Sequence, residues 1–209
     1  MNLLVDNMHI NKYLDLLEEE KRAYGITGHK NREDIIEKSM NPSVILANLL
    51  EGNRGVDIGS GNGFPGIVIS IVHPDKNIVL IEANQKKCSF LEAIKKRLQL
   101  DNIDIVNARA EELAVRSEFR EKFLFATCRA VANLKISSEL VLPFLEVGGI
   151  FYSQKGRKIY EEKRIADTLI EDLGGIVERI DENNIAYIRK KSLTPVQYPR
   201  KWKKIISDN

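Results

Sequence analysis

The sequence predicts a doubly wound, Rossmann-like α/β sheet, mostly parallel, with an antiparallel last hairpin and a cap of amino-terminal helices. Three observations carry this. Short apolar runs of strand length alternate with segments of helical period from Val56 to Leu173. The first run ends in a glycine-rich turn, Gly59-Ser60-Gly61-Asn62-Gly63, that leads straight into a helix. The last two apolar runs, Ile176 to Ile180 and Ile185 to Ile188, are separated only by Asp181-Glu182-Asn183-Asn184, which is hairpin spacing.

Taken in order, Ile10 to Tyr24 is an amphipathic helix, with Ile10, Tyr13, Leu14, Leu16 and Leu17 on one face and Glu18 to Arg22 largely on the other. Gly25 ends it. A polar loop containing His29 follows, read as solvated or structural, and then a short helix carrying Ile35 and Ile36. Pro42 starts a third helix through Leu50 that Gly52 closes. After the glycine turn, Phe64-Pro65-Gly66 opens the first core helix, and Ile78 to Ile81 is the second strand, ending at Glu82. The helix Gln85 to Leu98 turns Cys88, Leu91, Ile94 and Leu98 inward; Ile103 to Val106 and Phe123 to Cys128 are the third and fourth strands. A helix from Leu134 to Leu145 has its last turn perturbed by Pro143. The fifth strand is Gly148 to Gln154, and the helix Ile159 to Leu173 presents Ile165, Leu169, Ile170 and Leu173 to the sheet.

Composition bounds the class. The chain has 209 residues, 43% hydrophobic and 30% charged, and no apolar run approaches the ~20 residues of a membrane span. No secretory signal is expected, because Asp6 and His9 interrupt the early apolar stretch, and the two cysteines make neither a disulfide framework nor a metal pair. A cytoplasmic, monomeric protein without a metal is the expectation: one domain, with a helical cap over 1–53, a core over 54–190 and a tail over 191–209. The formal charge of +2 divides unevenly. Arg189, Lys190, Lys191, Arg200, Lys201, Lys203 and Lys204 precede any acid of that stretch, so the tail is basic and the body acidic, which predicts a polyanionic partner. Tyr198 and Trp202 interleave with these bases, a pattern suited to phosphate contacts and base stacking.

A strand, a glycine turn and a helix N-terminus form a ligand cradle, and two acids choose among ligands. Asp57, two residues before Gly59, would repel a pyrophosphate but attract an ammonium and a sulfonium, which favours S-adenosyl-L-methionine over a dinucleotide or ATP. Glu82 sits about 20 residues beyond the turn, at the spacing of an acid that accepts from ribose hydroxyls. Gly59 and Gly61 complete the predicted cofactor cradle.

The run from Asp57 to Gly66, and above all its Phe64-Pro65-Gly66 ending, resembles the signature of the small-subunit ribosomal RNA methyltransferase G family, also called glucose-inhibited division protein B. Arg109-Ala110-Glu111-Glu112, Cys128-Arg129-Ala130-Val131-Ala132 and Gln154-Lys155-Gly156 resemble its later blocks in order. The resemblance implies a class I methyltransferase sheet. It implies cofactor contacts from Gly59, Phe64, Ala110, Glu111 and Arg129, and methylation of guanine N7 in 16S ribosomal RNA, free or within the subunit. It places Lys86, Arg109 and Lys155 at RNA or active-site positions. The chain departs from the family at Ser39-Met40-Asn41-Pro42-Ser43, where histidine and aspartate are common, and at Asn183 or Asn184, where an arginine is common.

Guanine N7 has a free lone pair and no proton to lose, so the reaction needs positioning rather than a general base. Arg129 and Lys155, at the ends of the fourth and fifth strands, are the candidates to hold the base; Arg200 and Lys201 are the tail's candidates for phosphate. Two other readings stay open at this point. Cys128, at a strand end, could attack C6 of a pyrimidine as in an RNA 5-methylcytosine enzyme. Alternatively, the chain is a non-catalytic RNA-binding module that keeps a degenerate methyltransferase fold.

Overall fold

A computed structural model describes residues 8–24, 31–129 and 131–208. Gly25 and His29 lie outside the described residues, as does Ala130. Seven strands form a single sheet: β1 (Arg54–Ile58), β2 (Asn77–Glu82), β3 (Ile103–Asn107), β4 (Phe123–Cys128), β5 (Leu145–Gln154), β6 (Gly175–Ile180) and β7 (Ile185–Lys190). Their order is β3-β2-β1-β4-β5-β7-β6. β1 to β5 pair in parallel, whereas β7 runs antiparallel to β5 and to β6, so the final hairpin is as expected. The order reverses at β1, which puts a crevice above the carboxyl ends of β1 and β4, where open α/β sheets hold their ligands.

Strand alternation decides what lies on each face. Ile78, Leu80, Phe125, Ile150 and Tyr152 pack under α1 (Met8–Tyr24), α4 (Gly66–Val72) and α5 (Gln85–Leu98). Val56, Ile58, Ile81, Ala126, Cys128, Phe151 and Ile188 point the other way, under α6 (Ala110–Leu113), α7 (Leu134–Val141), α8 (Ile159–Asp172) and α9 (Trp202–Ser207). The amino-terminal helices therefore belong to one core and the carboxyl-terminal helix to the other.

Three local readings change. The second and third helices are one continuous rod: α2 (Arg32–Ile35) passes through a π-helical segment, Ile36–Met40, into α3 (Asn41–Ala47), which ends five residues before Gly52. Pro42 has no N–H to give the preceding turn, and the wider π segment absorbs that gap. In α8 the buried face is Ile159, Ala166, Leu169 and Ile170, with Leu173 just beyond the helix; Ile165 is 67% exposed, because it sits at the margin of that stripe. β5 begins at Leu145, three residues before the glycine pair, with Gly148 at φ +97° beside a register shift between Phe123 and Phe125. As expected, Pro143 perturbs the end of the preceding helix, α7, which closes at Val141 in a 3-10 turn, Leu142–Phe144.

The largest change concerns the tail, which is folded onto the second core. Lys190 is fully buried and donates to the carbonyls of Leu142 and Leu173 and to Thr194 Oγ1; burial lowers its pKa to about 8. Arg189 and Lys191 both pair with Glu178, at 2.6 and 3.4 Å. Arg120 ties the segment down from below by donating to the carbonyls of Thr194, Pro195 and Tyr198. Most of the charge counted as a free basic tail is thus already used within the fold.

Candidate active site

The turn after β1 is built on glycines that carry left-handed backbone. Gly59 sits at φ +71°, and a Cβ there would lie 2.4 Å from Val131 Cγ2; at Gly63, φ +92°, it would meet Ile67 and the Tyr13 hydroxyl. Tyr13, fully buried on α1, donates its hydroxyl to the Asn62 carbonyl and packs on Phe64 with ring centres 5.4 Å apart. The amino-terminal cap thereby holds the turn from behind. Pro65 stands as the N-cap of α4.

Glu82, at the end of β2, clamps the turn from the other side. Its Oε2 accepts from Gly61 N at 2.9 Å and its Oε1 from Asn84 N at 2.8 Å. Each carboxylate oxygen keeps further acceptor capacity, so a ribose diol can still be bound there. Asp57 does not reach the surface of the crevice. Strand alternation turns it under the turn, 1% exposed, where Oδ1 accepts from Thr127 Oγ1 at 2.7 Å and Oδ2 faces Gly66. Burial pushes its pKa up to about 6, against the opposing pull of Thr127. It makes no contact with the crevice.

Above these residues lies a cavity of about 590 Å³, lined in part by Gly59, Gly61, Asn62, Phe64, Glu82, Ala110, Glu111 and Arg129. Of the predicted cofactor residues, all but Asp57 line it. Arg109 also lines it, with Nε 2.5 Å from Glu111 Oε1, and its guanidinium carbon lies 4.9 Å from the ring centre of Trp202. Lys86 does not line it; this side chain is exposed on the first turn of α5, and Lys87 faces the cavity instead. Ser39 and Trp202 are lining residues that the sequence reading did not place here.

A second cavity of about 410 Å³ opens on the other side of Arg129, lined by Pro42, Arg129, Ala132, Gln154, Lys155, Gly156 and Asn183. Arg129 separates the two. Its Nη1 donates to the Ser39 carbonyl at 3.1 Å and its Nη2 to the Lys38 carbonyl. These are the carbonyls around the π segment: residue 42 is proline, so the carbonyl four residues earlier loses its helical donor, and the guanidinium takes that place. Lys155 donates from Nζ to the Ala132 carbonyl, and burial lowers the pKa of both Arg129 and Lys155. The Gln154 Oε1 and Asn41 Oδ1 atoms are buried without a hydrogen-bond partner. Asn183, where the sequence lacks an expected arginine, faces this cavity, and Asn184 makes the hairpin turn at φ +57°.

Cys128 lines neither cavity. It is 1% exposed, and burial raises its thiol to about pKa 12, so a thiolate nucleophile for pyrimidine chemistry has no support in the geometry. Among the described residues no cluster of metal-ligating side chains occurs, and no helix is long and apolar enough to cross a membrane.

Comparison with known proteins agrees with this architecture. Among solved structures, a methyltransferase of T. thermophilus described as acting on N2 of G1207 in 16S rRNA, solved with AdoMet and guanosine, aligns at TM-score 0.52 and 17% identity over 74% of this chain and 40% of that one. A SAM-dependent methyltransferase from Aquifex aeolicus aligns at TM-score 0.56 and 16% identity over 75% and 92% of the two chains. Such likenesses establish the fold. Closer relatives are the ribosomal RNA small subunit methyltransferase G of Clostridium novyi, 38% identical over 91% of this chain and 83% of the relative, and that of Caldicellulosiruptor bescii, 34% identical over 98% and 92%. A family model described as rRNA small subunit methyltransferase G matches residues 6–190, and the chain belongs to the small-subunit ribosomal RNA methyltransferase G family.

Proposed function

We propose that the protein methylates N7 of a guanine in small-subunit (16S) ribosomal RNA, with S-adenosyl-L-methionine as donor, and that the two cavities divided by Arg129 are its cofactor and base sites. The observation that carries this is their adjacency: a glycine cradle with an acid suited to ribose opens, across one guanidinium, onto a basic and amide-lined cavity at the ends of β4 and β5. When bound, the cofactor supplies an electrophilic methyl group on a sulfonium. Gly59 and Gly61 leave the backbone bare for its close approach, Glu82 and Glu111 offer acceptors, and Asp57 contributes negative potential from beneath the turn.

On the base side, no residue has to remove a proton, since N7 attacks with its own lone pair. Arg129 and Lys155 orient the base as donors, and the unpartnered Gln154 Oε1 is an acceptor suited to the N–H groups of a guanine's Watson–Crick edge. A planar arginine that is already desolvated and held by carbonyls keeps its orientation when the base arrives, which is the form of catalysis this reaction needs. On the same reading, 1–53 is a cap, 54–190 the catalytic core and 191–209 an appended segment, and the protein works in the cytoplasm as a monomer on free RNA or on the assembled subunit.

The experiment is transfer of a labelled methyl group to 16S RNA and to small subunits from a strain lacking the modification, followed by mapping of the labelled nucleotide. Label at N7 of one guanine is the expected result. Label on a pyrimidine, on an exocyclic amine, or on neither substrate overturns the proposal.

A further inference from the structure

We propose that Trp202 is a wall of the cofactor cavity that stacks on the adenine of the bound ligand, so that the C-terminal helix is part of the cofactor site. This rests on the reading of the 590 Å³ cavity as the cofactor site. Most residues lining that cavity come from the carboxyl ends of β1 to β4; Trp202 comes from beyond the last strand of the sheet. The fold holds it there deliberately. Ile205, one turn along α9, is fully buried in the second core, and Arg200, two residues before Trp202, is bound to the buried carboxylate of Glu139. On the cavity side the indole lies against Arg109, which Glu111 holds in turn, so the helix is connected through Trp202, Arg109 and Glu111 to the cavity lining.

The sheet order tells which part of the ligand Trp202 meets. The transferred group has to lie at the end where the second cavity opens, beside Arg129, which follows β4. The opposite end lies over β3, where Ala108, Arg109, Ala110 and Glu111 follow the strand, and this is the end that carries Trp202. The part of the cofactor distant from its methyl is the purine. A planar, half-buried indole with a cation on one side suits a planar heteroaromatic, which stacks at about 1–3 kcal/mol per base.

Trp202 is the single tryptophan of the chain, so indole emission reports on it alone. The full-length protein is titrated with S-adenosylhomocysteine and with methylthioadenosine, which keeps the adenosine but lacks the amino acid, by calorimetry and by fluorescence. Both ligands are expected to change the emission saturably. Trp202→Leu, which keeps apolar bulk for packing, is expected to weaken both by about tenfold, and by the same factor; Trp202→Phe is expected to stay within about threefold of wild type. Normal calorimetric binding with unchanged emission, or with equal affinity for Trp202→Leu, overturns this inference and leaves the cavity assignment intact. No binding of either ligand to the wild type overturns both.

Discussion

Glu139 and Arg200, 61 residues apart in sequence, form an ion pair on a buried carboxylate that closes the tail onto the sheet's second face. The Glu139 side chain has no exposure; Oε1 accepts from Arg200 Nε at 2.8 Å and from its backbone N at 2.9 Å, and Oε2 accepts from Nη2 at 2.6 Å. Asp208 takes the remaining Nη1 at 2.5 Å, and these carboxylates raise the guanidinium pKa further. Removing the arginine strands a buried charge, so Arg200→Ala is expected to destabilise the protein by about 3 kcal/mol in urea unfolding. The double variant Glu139→Met with Arg200→Ala should recover much of that loss. If the double variant is no more stable, packing of the arginine stem rather than charge is what matters.

A second prediction follows from Asp57. Its folded pKa of about 6 lies above the usual value near 3.8, because burial penalises the carboxylate. The folded state therefore holds a proton that the unfolded chain has released between these values. Stability from this group is fully present below about pH 3.8 and is lost as pH rises through 6, amounting to about 3 kcal/mol. Asp57→Asn keeps an acceptor for Thr127 and should lose this fall of stability with pH, so that its difference from wild type changes over that window. It should also weaken the cationic S-adenosylmethionine more than the neutral-sulfur product. Equal losses for the two ligands in calorimetry would show that Asp57 does not act on the sulfonium.

These two residues also show where sequence reading reaches and where it stops. Asp57 and Glu82 are legible as acids at fixed distances from a glycine turn, and the turn itself is legible because glycine leaves a strong signal when the backbone must be left-handed. Asp57 pairs with Leu80 and so shares a sheet face with Glu82; Glu82 stands two residues nearer the carboxyl edge, where the cavity opens, whereas Asp57 stays beneath the turn, and this needs the strand register to be known. The tail is the opposite case. Seven bases with no acid among them look like a free polycation in one dimension, because Glu178 meets Arg189 and Lys191 only across the hairpin and Glu139, 61 residues before Arg200, is brought up only by the fold. Ser39 and Trp202 were hidden for the same reason, each arriving at the site from an element outside the alternating core. Pro42 did carry a local signal, read as a helix start; its consequence for Arg129 depends on a contact across 90 residues.

The third prediction separates the two neighbours at the end of β4. Cys128→Ser should retain methyl transfer within about threefold, since the thiol is buried packing that touches neither cavity. Arg129→Ala should lower kcat by roughly 100-fold, a range reached when a positioning group is lost. Folding should change little, because the Lys38 and Ser39 carbonyls lie close enough to the cavities to find water. The check is single-turnover transfer with cofactor affinity and melting temperature measured in parallel. An inactive serine variant with normal fold and cofactor binding would return the reaction to covalent pyrimidine chemistry.

The fourth prediction concerns how the tail meets RNA. Of its bases, Arg200 and Lys204 are bound to carboxylates, with Lys204 Nζ 3.1 Å from Asp208, whereas Lys201 and Lys203 are exposed and have no carboxylate partner among the described residues. A base must be free to neutralise a phosphate, so only the latter two should carry counterion release. Replacing both Lys201 and Lys203 with alanine should reduce the slope of log affinity against log salt by roughly 1.4 to 1.8, at about 0.7 to 0.9 per contact. Lys204→Ala should leave the slope unchanged. The comparison uses one RNA over a salt series with cofactor affinity measured alongside, since a single affinity does not separate lost phosphate contacts from a disturbed fold. Parallel salt dependences for the double variant and the wild type would remove the tail from the RNA surface. Binding would then fall to Lys86 on α5 and to Lys155 beside the second cavity, and the same series on alanine variants of those two residues would locate it.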